Sequence, residues 1–193
     1  MEINKDTVAF DIDGKPPQSQ FKEKLLLDRR IVFITSEITE LSAQEVIENL
    51  KILDSLSNKP VELILNSAGG DVFSSLGIID IIGTLRSDVH TYIVGQSASC
   101  AGMISVCGKR RFITKNSFFM AHELQISNSD YLSKIKDGHN LNLLLWENIL
   151  KLYKEKTKLD EQDYDRIQRG ELWLNPQQCL EKGIVDEILW GRE

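Results

Sequence analysis

The sequence has few cysteines, no long apolar run and no extended basic patch, and each shortage closes off a class of protein. Its three cysteines, Cys100, Cys107 and Cys179, are an odd number with no C-x-x-C pair. That excludes a disulfide framework and a cysteine-rich zinc site, and it fits a reducing, cytoplasmic setting. Each cysteine reads as a small buried hydrophobe. Asp80, Arg86 and Asp88 interrupt the longest apolar candidate, so nothing approaches the ~18 residues of a membrane span. The opening residues MEINKDTVAFDID carry acids and no apolar h-region, so no secretory signal is expected. With a net charge of -6 and only Lys109-Arg110-Arg111 as a basic cluster, nucleic acid is an unfavourable partner. That triplet is expected in a solvated turn or at a strand edge. Neither G-x-G-x-x-G nor a P-loop lysine is present, so Gly69-Gly70 is no nucleotide cradle.

What is present is the make-up of a globular protein, with 41% hydrophobic and 27% charged residues. A chain of 193 residues is most simply one domain, burying about 70% of its unfolded surface. Residues 31–35 (IVFIT), 61–65 (VELIL) and 89–94 (VHTYIV) read as strands. Between the first two, residues 42–56 have helical periodicity and open on a capping box, Ser42-Ala43-Gln44-Glu45. A second helix is expected over 72–85 after Gly69-Gly70. A short apolar helix should follow Gly95 to about Gly108, then strands over 111–114 and 117–122. A long helix over about 129–157 carries Leu141, Leu144, Leu145 and Ile149 on one stripe, which is expected to pack between subunits, the alternative being that it covers the sheet of its own subunit. Asp160 caps a further helix, and Asn175-Pro176 opens a short one that Gly183 ends. The strand–helix–strand alternation predicts right-handed crossovers and an α/β fold with a largely parallel sheet.

Ser97 and Ser99 stand in the stretch GQSASCAGM between a strand and a helix. Ser97 fits G-x-S, but a nucleophile elbow of that type needs glycine at 99. Ser99 lies at the helix start among small neighbours that leave room for a substrate backbone, and a simple N-cap is the competing role. Of three histidines, only His122 ends an apolar strand, where a site residue is held rigidly. The loop Asn66-Ser67-Ala68-Gly69-Gly70 turns sharply after a buried strand, as an oxyanion hole or anion nest requires.

Taken in order, these residues resemble the ClpP-like serine peptidase family, the proteolytic subunits of the ATP-dependent Clp protease. The matching motifs are Ala98-Ser99-Cys100-Ala101, His122 at a strand end, Asn66–Gly70, Leu25-Leu26-Leu27-Asp28-Arg29, Gly108-Lys109-Arg110-Arg111-Phe112 and Gly183-Ile184-Val185-Asp186. They span nearly the whole chain. The resemblance implies a ClpP/crotonase-like fold with a projecting long helix. It also implies one peptidase domain over 1–193, with residues 1–22 a mobile N-terminal segment and about 123–157 a handle region. Ser99 would be the nucleophile, His122 the general base, Glu171 the third triad member, and the Gly70 and Cys100 N–H groups the oxyanion hole. The implied assembly is a homo-oligomer of stacked heptameric rings. An AAA+ Clp-type ATPase would feed it peptides and unfolded proteins, and no metal or organic cofactor is implied.

Several positions depart from the family. Glu171 stands where the family has aspartate, and Ala68 where it has proline. Residues 123–130 replace a Gln-Pro and glycine-rich stretch. Glu62 and Ile64 occupy a strand that normally carries aromatic residues for docking the ATPase. Two alternatives stand beside the peptidase: a catalytically weak or inactive structural subunit of the same fold, and a crotonase-type acyl-CoA enzyme.

Overall fold

In the computed structural model, the structure describes Leu26, residues 28–125 and residues 132–190, with side chains described for Leu26, 28–125 and 138–190. The N-terminal segment 1–22 and residues 126–131 of the handle region lie outside the described residues.

Five parallel strands make the main sheet, in the order β1 (Ile31–Ile34), β2 (Val61–Ser67), β3 (Val89–Ala98), β4 (Arg110–Thr114) and β7 (Glu187–Leu189). β-Branched residues fill these strands and suit the pleated surface. Burial alternates along β2, so that Val61, Leu63 and Leu65 are fully buried. Helix α1 (Glu40–Leu56) closes one face with the helical stripe Ala43, Val46, Leu50 and Leu53. Helix α2 (Val72–Thr84) packs beside it, burying Ile78.

The cap of α1 differs from the expected one. Thr39 is the N-cap: its hydroxyl accepts the Ser42 N–H at 3.2 Å, and the Ser42 hydroxyl accepts the Thr39 N–H at 2.9 Å. The reciprocal box therefore starts three residues before Ser42, with a serine hydroxyl doing the work expected of Glu45.

β3 is the element that builds the site, and it does not end at Gly95 as expected. Its first half pairs with β4, and its last residues, Gln96 to Ala98, pair with β5 (Phe118–His122). Between Leu65 and Ser67 only Asn66 lies on β2, while Val94, Gly95 and Gln96 lie on β3. The bend sits at Gly95, with φ +83°, where a Cβ would stand 2.7 Å from Asn66 Oδ1. A side chain is excluded there on both grounds. Beyond the bend β3 delivers its C-terminus into helix α3 (Cys100–Ser105), shorter than the helix expected to about Gly108. β6 (Glu171–Leu174) joins β5 antiparallel and forms the outer edge of this branch.

The long helix α4 (Leu132–Lys156) divides its stripe. Leu145 and Ile149 are buried within the subunit at 8% and 4% exposure, while Leu141 and Leu144 are 46% and 60% exposed. The expectation of one stripe between subunits therefore fails for Leu145 and Ile149, which cover the subunit's own core alongside Tyr153. Helix α5 (Glu161–Arg169) is capped by Asp160, and helix α6 (Pro176–Glu181) opens on Asn175-Pro176 as expected.

Lys109 and Arg110 are exposed at the start of β4, as expected of the basic triplet, but Arg111 is not a solvated charge. Its guanidinium donates to Asp186 Oδ1 at 2.6 Å and to the carbonyls of Lys156 and Gly183 at 2.7 and 2.8 Å. One side chain thereby ties β4 to the end of α4 and the entry to β7. Burial alone would push the Asp186 carboxyl up, but the hydrogen bonds and charge of Arg111 outweigh it and hold it below the usual range. No helix among the described residues is long and apolar enough to cross a membrane.

Candidate active site

Ser99 occupies the single-residue turn between β3 and α3, at φ +54° and ψ -123°. Among the described residues only Arg30 shares a positive φ without being glycine. Such a conformation costs on the order of 1–3 kcal/mol for a residue bearing a Cβ. It is held from both sides. The Ser99 N–H donates to the Met120 carbonyl on β5 at 2.9 Å, and the Ser99 carbonyl accepts the Met103 N–H at 3.3 Å. The hydroxyl makes no capping bond to the helix, so it is left for other chemistry. Ser97 is fully buried inside β3, and its hydroxyl has no partner among the described residues. It is a core residue.

The glycine loop lies directly against this turn. A Cβ on Gly69 (φ +104°) would stand 2.8 Å from both the Ala98 carbonyl oxygen and Ser99 Cβ. Only glycine allows that approach. Gly70 (φ +148°) is bridged to Ile38: the Ile38 N–H donates to the Gly69 carbonyl at 2.8 Å and the Asp71 N–H to the Ile38 carbonyl at 2.7 Å. The Gly69 carbonyl thus points at Ile38, and since the C=O and N–H of a trans peptide point opposite ways, the Gly70 N–H points away from it. The Cys100 N–H, in the first turn of α3, has no acceptor within its helix. The Cys100 thiol is buried and donates to the Gly70 carbonyl at 3.2 Å, stitching the loop to the turn. Burial pushes this thiol's pKa up, so it stays protonated at neutral pH.

His122 is the last residue of β5 and is half-buried. Its ring Nδ1–H donates to the carbonyl of Glu123. That bond fixes the tautomer and leaves Nε2 with its lone pair, the form a general base needs. Glu171 is the direct cross-strand partner of His122 in the β5–β6 register. Its carboxylate, however, accepts from the indole Nε1–H of Trp173 at 2.8 Å, and its backbone carbonyl accepts from Arg166 at 3.3 Å. Strand pairing thus brings Glu171 beside His122, and its side chain turns along its own strand.

Gly70, Ser99, Cys100 and His122 open onto one cavity of about 220 Å³. Val72, Met103, Trp146 and Ile149 form its apolar wall. A larger hollow of about 900 Å³ lies beside β1 and α1, and its lining includes no histidine or cysteine. Of the five residues expected at the site, four share the smaller cavity and Glu171 adjoins it through β6.

Sequence reasoning missed four supports. They are the Met120 carbonyl that holds Ser99, the Ile38 bridge that aims Gly70, the Cys100 thiol bond and the Trp173 contact. The first two depend on how strands and loops pair, for which a single sequence carries little signal; the Cys100 bond is tertiary, and the Trp173 contact is local to β6 but depends on a rotamer choice. The walls from α4 were legible as an apolar stripe, though not their destination.

Comparison with known proteins identifies a family. The Clp protease family model matches residues 17–192. The ATP-dependent Clp protease proteolytic subunit of Carsonella ruddii (strain PV) is 32% identical over 173 residues, covering 86% of this chain and 87% of that protein. The proteins of the same name from Streptococcus pyogenes serotype M5 (strain Manfredo) and Streptococcus equi subsp. equi (strain 4047) are each 29% identical over 181 residues, covering 87% of this chain and 88% of theirs. A family match over nearly the whole length and a relative 32% identical across most of both chains show that the chain belongs to the Clp protease family and is a ClpP-like peptidase.

Proposed function

We propose that the chain is a serine endopeptidase in which Ser99 attacks the scissile carbonyl. His122 Nε2 takes the hydroxyl proton and returns it to the leaving amine. The Gly70 and Cys100 N–H groups hold the tetrahedral oxyanion, and Glu171 stabilises the imidazolium when it turns toward His122. The observation that carries this reading is the strained backbone of Ser99. A turn that forces a Cβ-bearing residue to φ +54° and leaves its hydroxyl uncapped has a use when that hydroxyl must project into a cavity shared with a base. The apolar wall suits an uncharged P1 side chain.

In this reading the 193 residues work as one peptidase domain in the cytoplasm, assembled as stacked heptameric rings around a closed chamber. The exposed Leu141, Leu143 and Leu144 on α4 supply apolar surface for contacts between subunits. An AAA+ Clp-type ATPase delivers unfolded protein and uses the ATP. Strand register supports a docking face: Phe33, Ile64, Tyr92 and Phe112 are successive neighbours across β1 to β4, and the Tyr92 and Phe112 rings stack at 4.6 Å. Aromatic surface absent from β2 is thus available one strand away on either side, at Phe33 and Tyr92, with Phe112 buried behind Tyr92.

The test is hydrolysis of a short fluorogenic peptide with native mass spectrometry of the same samples. Ser99→Ala should abolish turnover with assembly unchanged, and Ser97→Ala should keep most of it. Turnover retained by Ser99→Ala and lost with Ser97→Ala would overturn the assignment.

A further inference from the structure

We infer that Trp173 is a positioning residue that holds Glu171 away from His122 and so sets the resting rate of the site. The inference rests on the Ser99–His122 reading above. Glu171 and Trp173 are two apart on β6, so their side chains emerge on one face. His122 stands directly opposite Glu171, and Cβ atoms of such antiparallel pairs are about 4.5–5.5 Å apart. One carboxylate therefore has two partners within the swing of its side chain: the indole N–H along its own strand, and the imidazole across the pair. It sits on the indole, at 2.8 Å. His122 meanwhile gives its Nδ1–H to the Glu123 carbonyl. Each of the two groups a triad would join is bonded elsewhere.

The reach of glutamate serves this arrangement, since its extra methylene carries the carboxylate past its own backbone toward residue 173. Arg166 on α5 bonds the Glu171 carbonyl and leaves the carboxylate alone. The backbone is fixed while the side chain is free to turn. Trp173 is 43% exposed and Glu171 is exposed, so water competes for both ends of the bond. The hold is consequently a bias and not a lock, on the order of tenfold for one charge-assisted hydrogen bond in a wet setting.

Steady-state kinetics on a fluorogenic peptide tests this with Trp173→Phe, Glu171→Gln, their double variant and Ser99→Ala. Trp173→Phe keeps the ring and deletes the N–H. It should raise kcat about tenfold with KM unchanged, and the gain should vanish in the double variant with Glu171→Gln. Trp173→Leu provides a second deletion of the donor should the phenylalanine variant fold poorly. An unchanged or lower kcat in the folded Trp173 variants overturns the inference, as does a gain that survives Glu171→Gln. If Ser99→Ala is dead while Trp173→Phe is flat, the inference alone fails. Activity retained by Ser99→Ala instead overturns the Ser99 reading and this inference with it.

Discussion

A single methyl group on Gly69 reaches the nucleophile through the backbone alone. In Gly69→Ala the new Cβ would sit 2.8 Å from the Ala98 oxygen and Ser99 Cβ and 3.0 Å from the Cys100 nitrogen. The closest contacts are roughly 0.6 Å short of ordinary van der Waals separation, and the atoms met are mostly backbone, which cannot swing aside. At φ +104° a Cβ adds strain of its own. Overpacking costs about 1–3 kcal/mol and the backbone conformation a similar amount. A combined loss of about 2–6 kcal/mol leaves a protein of ordinary stability folded over most of that range and lowers Tm by roughly 4–24 °C. The clash is relieved by displacing the Ser99 turn by about half an ångström, and a 1 Å misplacement can cost on the order of 10²-fold in rate. Differential scanning calorimetry and peptide hydrolysis on the same preparation separate the two effects. Expected is a folded protein whose kcat/KM falls tenfold or more at a temperature well below its lowered Tm. Unchanged Tm and unchanged rate would refute the close packing of loop and turn.

Three further outcomes follow from other parts of the fold. Asp186 has a depressed folded-state pKa through Arg111, so its contribution to stability is complete above the unfolded carboxylate value near 4 and is lost as pH falls through the folded one. Arg111→Ala should therefore lower stability at neutral pH and flatten the acid limb of a urea-midpoint-against-pH curve; a limb as steep as the parent's would count against the clamp. Thr39→Ala removes the cap of α1 and should cost about 1 kcal/mol, read as a shift in urea midpoint with no change in m-value. Tyr92→Ala should leave cleavage of short peptides intact and impair degradation of a folded substrate with the ATPase present, and equal degradation would remove Tyr92 from the docking face.

The alternation of strands and helices was legible because β2 and α1 carry clear periodicities, and so were the caps at Asp160 and Asn175-Pro176, which are local. The bend in β3 was not. Gly95 reads as a strand terminator in sequence, and only the pairing of Gln96 to Ala98 with β5 shows that it re-aims the strand toward Ser99. The α1 cap was misplaced because Thr39 and Ser42 both have capping chemistry, and the Ile38 bridge to Gly70, a tertiary contact, fixes the chain just before the helix. Arg111 looked like solvent-facing charge, since its acceptors, Lys156, Gly183 and Asp186, lie far along the chain. At the site, residue types and order pointed to Ser99, His122 and Gly70, and the structure brings these onto one cavity. The rotamer of Glu171 was beyond reach, because it depends on which of two nearby donors the carboxylate meets.

The central claim is that Ser99, activated by His122, is the nucleophile. Intact-protein mass spectrometry after treatment with a fluorophosphonate probe, followed by peptide mapping, tests it most directly. Expected is one adduct per chain on Ser99, absent in Ser99→Ala and strongly slowed in His122→Ala. An adduct on another serine, or labelling of Ser99 at the same rate without His122, would contradict it.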